Sequence, residues 1–95
     1  KIFFPNHAVG SVMGHAKYGD YFSFSQNCTV GNNKDVYPKI GKNVQMLSGS
    51  KILGNCIVGN NVIFSANSYV KDINVPSNTI VFGQFPNNKF KNLKK

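Results

Sequence analysis

The chain has 95 residues and a formal charge of +8, carried by eleven Lys against three Asp, with no Arg, Glu or Trp. That length admits one domain at most, and a compact globule of this size would bury only a limited core. There is no apolar run of about 18 residues and no signal-peptide pattern, so nothing argues for membrane insertion or export and a cytoplasmic location is expected.

Residues 1–17 are the least regular part. They open on the hydrophobic Ile2-Phe3-Phe4, which reads as the middle of a longer chain, and they carry both histidines, His7 and His15. A period of six then begins, with Tyr18, Phe24 and Val30 as its large residues and Asn27 and Asn33 three places further on. Tyr21 breaks that corner rule. From Val30 to Ile40 the step is ten residues, so 32–39 is expected to bulge as a loop, with Pro38 at the edge where it rejoins.

The period is clearest in Ile40, Met46, Ile52, Val58 and Phe64, each followed three residues later by Asn or Gly at 43, 49, 55, 61 and 67, and it runs on to Val70. Neither a helical stripe nor a flat strand repeats at six, so the unit must be a short strand plus a corner. Asn and Gly reach the left-handed αL region at least cost, which is what a chain turning every six residues requires. Val44, Ser50, Cys56, Val62 and Ser68 are small enough to share a narrow interior with the large residues. Three hexads close one triangular coil, stacking Ile40 under Val58, Met46 under Phe64 and Ile52 under Val70 at an interstrand spacing of about 4.8 Å. The prediction is an all-β parallel β-helix of about five coils. Its period fails at 71–76, residues 75–85 are expected to cap the last coil, and the polar residues after 86 are expected to fray, dividing the chain into a 1–86 domain and an 87–95 basic tail.

The lysines are scattered through corners, the loop and the tail, without Arg and without aromatic-basic interleaving. Nucleic-acid and membrane partners are therefore not expected, whereas a few lysines could touch phosphates of a small cofactor. Cys28 and Cys56 fall on the small inward position and read as reduced core residues. Two histidines and two core cysteines do not make a zinc site in one chain, and no metal is expected. Without Glu and with Asp20, Asp35 and Asp72 dispersed, paired-carboxylate catalysis has no candidates, which leaves His7 as the one plausible general base. His15 reads as an exposed corner residue.

The segment Asn6-His7-Ala8-Val9-Gly10-Ser11-Val12-Met13-Gly14, the loop closing on Tyr37-Pro38-Lys39-Ile40-Gly41, the run Ser50-Lys51-Ile52-Leu53-Gly54-Asn55 and the ending 75–86 resemble the C-terminal catalytic half of serine acetyltransferase. More broadly they resemble the hexapeptide-repeat acyltransferases that include sugar O-acetyltransferases. The resemblance covers residues 5–86 and implies a left-handed β-helix, a homotrimer, and acetyl-CoA bound between neighbouring subunits. It implies that His7 takes the proton of an acceptor hydroxyl, that Asn32, Ser48, Ala66 and Lys71 line the CoA groove, and that Asn6 and Tyr37 face the acceptor. The histidine-orienting carboxylate of the family lies upstream of any residue present here.

Serine acetyltransferases place an Arg-His pair before the Pro-Lys-Ile of this loop to hold the carboxylate of L-serine, where this chain has Val36 and Tyr37. Losing two cationic donors would cost several kcal/mol, on the order expected for a buried charge pair. The expectation is therefore an acetyl-CoA-dependent O-acetyltransferase acting on a sugar hydroxyl. The alternatives are a serine O-acetyltransferase of cysteine biosynthesis, a non-catalytic β-helix that oligomerises another enzyme, and a γ-carbonic-anhydrase-like site with three histidines converging on zinc.

Overall fold

The computed structural model describes residues 3–5, 12–14, 16–32 and 35–93. Its described residues form short strands and no helix, in coils of three strands each. The first coil is β1 (Phe3–Pro5), β2 (Val12–Met13) and β3 (Lys17–Tyr18); the second is β4 (Phe22–Phe24), β5 (Thr29–Gly31) and β6 (Lys39–Ile40). The third is β7 (Gln45–Met46), β8 (Lys51–Leu53) and β9 (Ile57–Val58); the fourth is β10 (Val62–Phe64), β11 (Tyr69–Lys71) and β12 (Asn74–Val75). A fifth coil is begun by β13 (Thr79–Phe82), and β14 (Lys89–Asn92) folds back on it.

Stacking the coils produces three parallel faces: β1-β4-β7-β10-β13 on the first, β2-β5-β8-β11 on the second and β3-β6-β9-β12 on the third. The register is the one the period demands, with Ile40 on Val58, Met46 on Phe64 and Ile52 on Val70. Each of these side chains is buried, and the core continues through Phe22, Val44, Val62, Val75 and Val81. Cys28 and Cys56 are free thiols within it, as their small inward positions predict.

Corners repeat as faithfully as the core. Asn27, Asn43, Asn61, Asn67 and Gly49 all take positive φ, and down one edge Asn43 Nδ2 donates to Asn61 Oδ1 (2.9 Å) and Asn61 Nδ2 to Asn78 Oδ1 (3.1 Å). This amide ladder lets one residue type both enter αL and satisfy its neighbour's side chain. Two local expectations change. Gly54 (φ 77°), not Asn55, makes the corner after β8, because there the turn comes one residue sooner after the inward Ile52. Tyr21 obeys the corner rule after all, at φ 61°. Asn33 lies outside the described residues.

The break at 71–76 is a shortening rather than an end. Asp72 (φ 52°) turns the corner, its Oδ1 accepting from the Asn55 N–H (2.7 Å), and β12 still pairs with β9 in register. The polar segment expected to fray instead supplies β14, antiparallel to β13 with Phe82 opposite Lys89 and Thr79 opposite Asn92. Residues 83–88 make that reversal, held by Asn88 Nδ2, which donates to the carbonyls of Tyr69 (3.0 Å) and Gly83 (3.1 Å). Chain polarity alone did not decide the matter, because an edge strand needs only backbone partners and tolerates exposed polar side chains.

Because αL costs an ordinary L-residue about 1–2 kcal/mol, Asn61→Ala should lower unfolding free energy by about that much and Asn61→Gly by less. Tyr21→Asn, at a site 53% exposed, should raise it by about 1 kcal/mol. Urea denaturation of the three variants checks both signs.

Candidate active site

A β-helix this narrow has its interior filled by side chains, so any site must lie on a face or an edge. On the second face Val30, Ile52 and Val70 point inward, and the residues beside each point out by the two-residue alternation of a strand. One outward column is Thr29, Lys51 and Tyr69; the other is Gly14, Gly31, Leu53 and Lys71. Glycine keeps the lower half of that second column flat. A Cβ on Gly14 would fall 2.6 Å from the Val30 carbonyl oxygen, and one on Gly31 would press on Leu53 at 3.2 Å.

Above this floor lies a depression of about 360 Å³ lined by Lys51, Leu53, Tyr69 and Gln84. Gln84 is carried there by the start of the fifth coil, where it bridges to Tyr69 and donates through Nε2 to the Asn67 carbonyl (3.3 Å). Phe85 meets the Tyr69 ring edge-on with centroids 6.5 Å apart. The rim therefore combines two apolar side chains with an ammonium and an amide.

The expected CoA-groove residues flank this same face. Ser48, half-buried, and Ala66, exposed, occupy successive turns along one edge, linked by the Asn67 N–H donating to the Ser48 carbonyl (2.9 Å). Asn32, exposed, follows Gly31, and Lys71, half-buried, ends β11 on the opposite edge. Tyr37 is 40% exposed in the 32–39 loop and Val36 beside it 43%. His7, His15 and Asn6 lie outside the described residues. Lys51, Leu53 and Tyr69 were open to sequence reasoning, since period-two alternation about Ile52 and Val70 places them outward. Gln84 was not, because only the folded cap brings it to the face.

Two perturbed groups bear on the chemistry. Burial, with the Asp72 charge adding to it, pushes the Cys56 thiol up, despite backbone hydrogen bonds at Ile73, Asp72 and Leu53 that favour the thiolate. Cys56 is thus an inert core thiol rather than a nucleophile. Burial also pushes the Tyr18 phenol up to about 12, and its hydroxyl donates to the Gly14 carbonyl (2.8 Å), propping the floor of the second face.

Residues 37–72 match the family model described as bacterial transferase hexapeptide (six repeats). The chain is a left-handed parallel β-helix of hexapeptide repeats. It is 40% identical over 88 residues to the serine acetyltransferase of Staphylococcus epidermidis, covering 87% of this chain and 41% of that protein. It superimposes on the Neisseria gonorrhoeae serine acetyltransferase in complex with serine at a TM-score of 0.79 and 34% identity, over 92% of this chain and 36% of the other. A serine acetyltransferase in complex with CoA matches at a TM-score of 0.79 and 28% identity, over 94% and 37%. The chain is thus a hexapeptide-repeat protein resembling serine acetyltransferase, and it spans about two fifths of the length of the curated relatives it matches.

The neutral Tyr18 contributes stability that is complete below the free phenol value of 10.0 and is lost as pH rises through about 12. Unfolding free energy should therefore fall between those pH values. Tyr18→Phe should flatten the fall and delete the high-pH component of the 295 nm titration.

Proposed function

We propose that this chain carries the acyl-transfer site of a serine O-acetyltransferase, moving the acetyl group of acetyl-CoA to the hydroxyl of L-serine. The observation that carries the proposal is the 40% identity to a serine acetyltransferase over 87% of the chain, supported by the likeness to structures described as complexes with serine and with CoA. These findings favour serine over the sugar acceptor argued from Val36 and Tyr37. That argument set the loss of two cationic donors against a buried or half-buried substrate carboxylate, where a missing cation is expensive. Val36 and Tyr37 are both about two-fifths exposed, and solvent screening makes a charge contact at such sites worth far less.

In this proposal the second face receives the acyl donor. The fit is chemical: Leu53 and Tyr69 offer apolar surface to a pantetheine arm, Gly31 leaves the floor open, and Lys51 and Lys71 offer cations to phosphates. Ser48, Ala66 and Asn32 border it with small or polar side chains. His7 acts as general base, imidazole being the side chain that most often accepts and releases a proton in catalysis. It removes the serine hydroxyl proton as the oxygen attacks the thioester carbonyl; the C–O bond forms, the C–S bond breaks, and the departing CoA thiolate takes that proton from the His7 imidazolium. Asn6 and Tyr37 are assigned to the acceptor side, and the trimer that would juxtapose neighbouring faces is part of the same proposal.

Thiol release from acetyl-CoA, measured with L-serine and separately with a panel of sugars, is the test. Release with L-serine, lowered about 10²- to 10⁴-fold by His7→Ala, is expected. Release with sugars alone would restore the carbohydrate reading, and neither release nor acetyl-CoA binding would leave a non-catalytic oligomerisation module. Ala66→Trp, at an exposed turn where folding should be unaffected, should raise KM for acetyl-CoA several-fold with kcat little changed.

A further inference from the structure

Among the described residues the first face ends at β14 (Lys89–Asn92), whose outer edge has no strand beside it. The Leu93 N–H donates to the Asn78 carbonyl (2.8 Å), which sets the ladder's phase beside the Thr79–Asn92 pair. Lys89, Lys91 and Leu93 consequently turn their backbone groups toward the body of the sheet, and Phe90 and Asn92 turn theirs outward. The outward groups form a short template for one more strand. Side chains alternate as well. Lys89 and Lys91 stand on one side of the ribbon opposite Phe82 and Ile80, and Phe90, 43% exposed, stands on the other opposite Val81. Among the described residues neither lysine meets a carboxylate.

We propose that the β14 edge is a docking site for an extended segment of a partner protein in which acidic and apolar residues alternate. The charge pattern selects this occupant. An added strand places every second side chain beside Lys89 and Lys91, where carboxylates are favoured, and the intervening ones beside Phe90, where an apolar side chain covers exposed ring surface. A second copy of this chain pairing edge to edge would set Lys against Lys, so the same lysines oppose self-association. The inference stands apart from acyl transfer, because no residue of the second face takes part.

The test is fluorescence anisotropy with the intact chain and a labelled probe peptide of five Glu-Val repeats, against a control with the same composition arranged as a Glu block followed by a Val block. Micromolar binding of the alternating probe, at least tenfold weaker for the block peptide, is expected. Asn92→Pro removes an outward N–H without touching the β13 ladder and should weaken binding at least tenfold with the melting transition retained. Should that variant unfold, Lys89→Glu/Lys91→Glu serves in its place: it should lose the Glu-Val probe and acquire a Lys-Val one. Equal binding of the two peptides, binding indifferent to these substitutions, or no binding would each overturn the proposal. So would self-association through this edge.

Discussion

Parallel register between coils is the interaction on which the rest of the molecule depends. Every inward side chain rests on its counterpart in the next coil, as Met46 does on Phe24 below and Phe64 above, so a slip of one residue would send a whole column of the core into water. That register holds only if each corner reverses direction in a fixed number of residues. The αL positions supply this, and they stack as closely as the strands do. At Gly49 (φ 77°) an added Cβ would collide with the side chain of Asn67 in the next coil, so that corner has no room for a side chain.

The same tight stacking explains where function can sit. The prism interior is filled by Phe22, Met46, Phe64 and the valines around them, and no ligand could enter without dismantling the coils. Chemistry is displaced to the outside, where departures from regularity give the faces relief. Residues 35–38, between β5 and β6, mark one edge of the second face, and the reversal at 83–88 brings Gln84 and Phe85 to its end. Between them, the glycine floor and the Leu53–Tyr69 surface form a shallow hollow rather than an enclosed pocket.

Position in the fold also decides what a substitution is worth. Val36 and Tyr37 replace two cationic side chains of the serine acetyltransferases, and judged by residue type alone the loss looks decisive. Exposure weakens that judgement, since both side chains are about two-fifths exposed and the energy of a charge contact falls as the dielectric around it rises. Cys56 makes the complementary point: a residue type capable of nucleophilic chemistry is silenced by burial beside an aspartate.

The sequence by itself determined the repeat, the inward residues, the pairing register and most of the corners, because a six-residue period couples strand length, turn chemistry and core volume within a few residues of each other. Ser48, Ala66, Asn32 and Lys71 were singled out by the family resemblance rather than by the period, and they lie at corners and strand ends along one face. Tertiary structure alone decided the αL turns at Gly54 and Tyr21, the shortened corner at Asp72, the strand at 89–92 and the arrival of Gln84 beside Tyr69. Each of these depends on what lies one coil away, through hydrogen bonds such as that from the Asn55 N–H to the Asp72 carboxylate Oδ1. A local pattern carries no information about a partner seventeen or eighteen residues distant unless that partner repeats the pattern too.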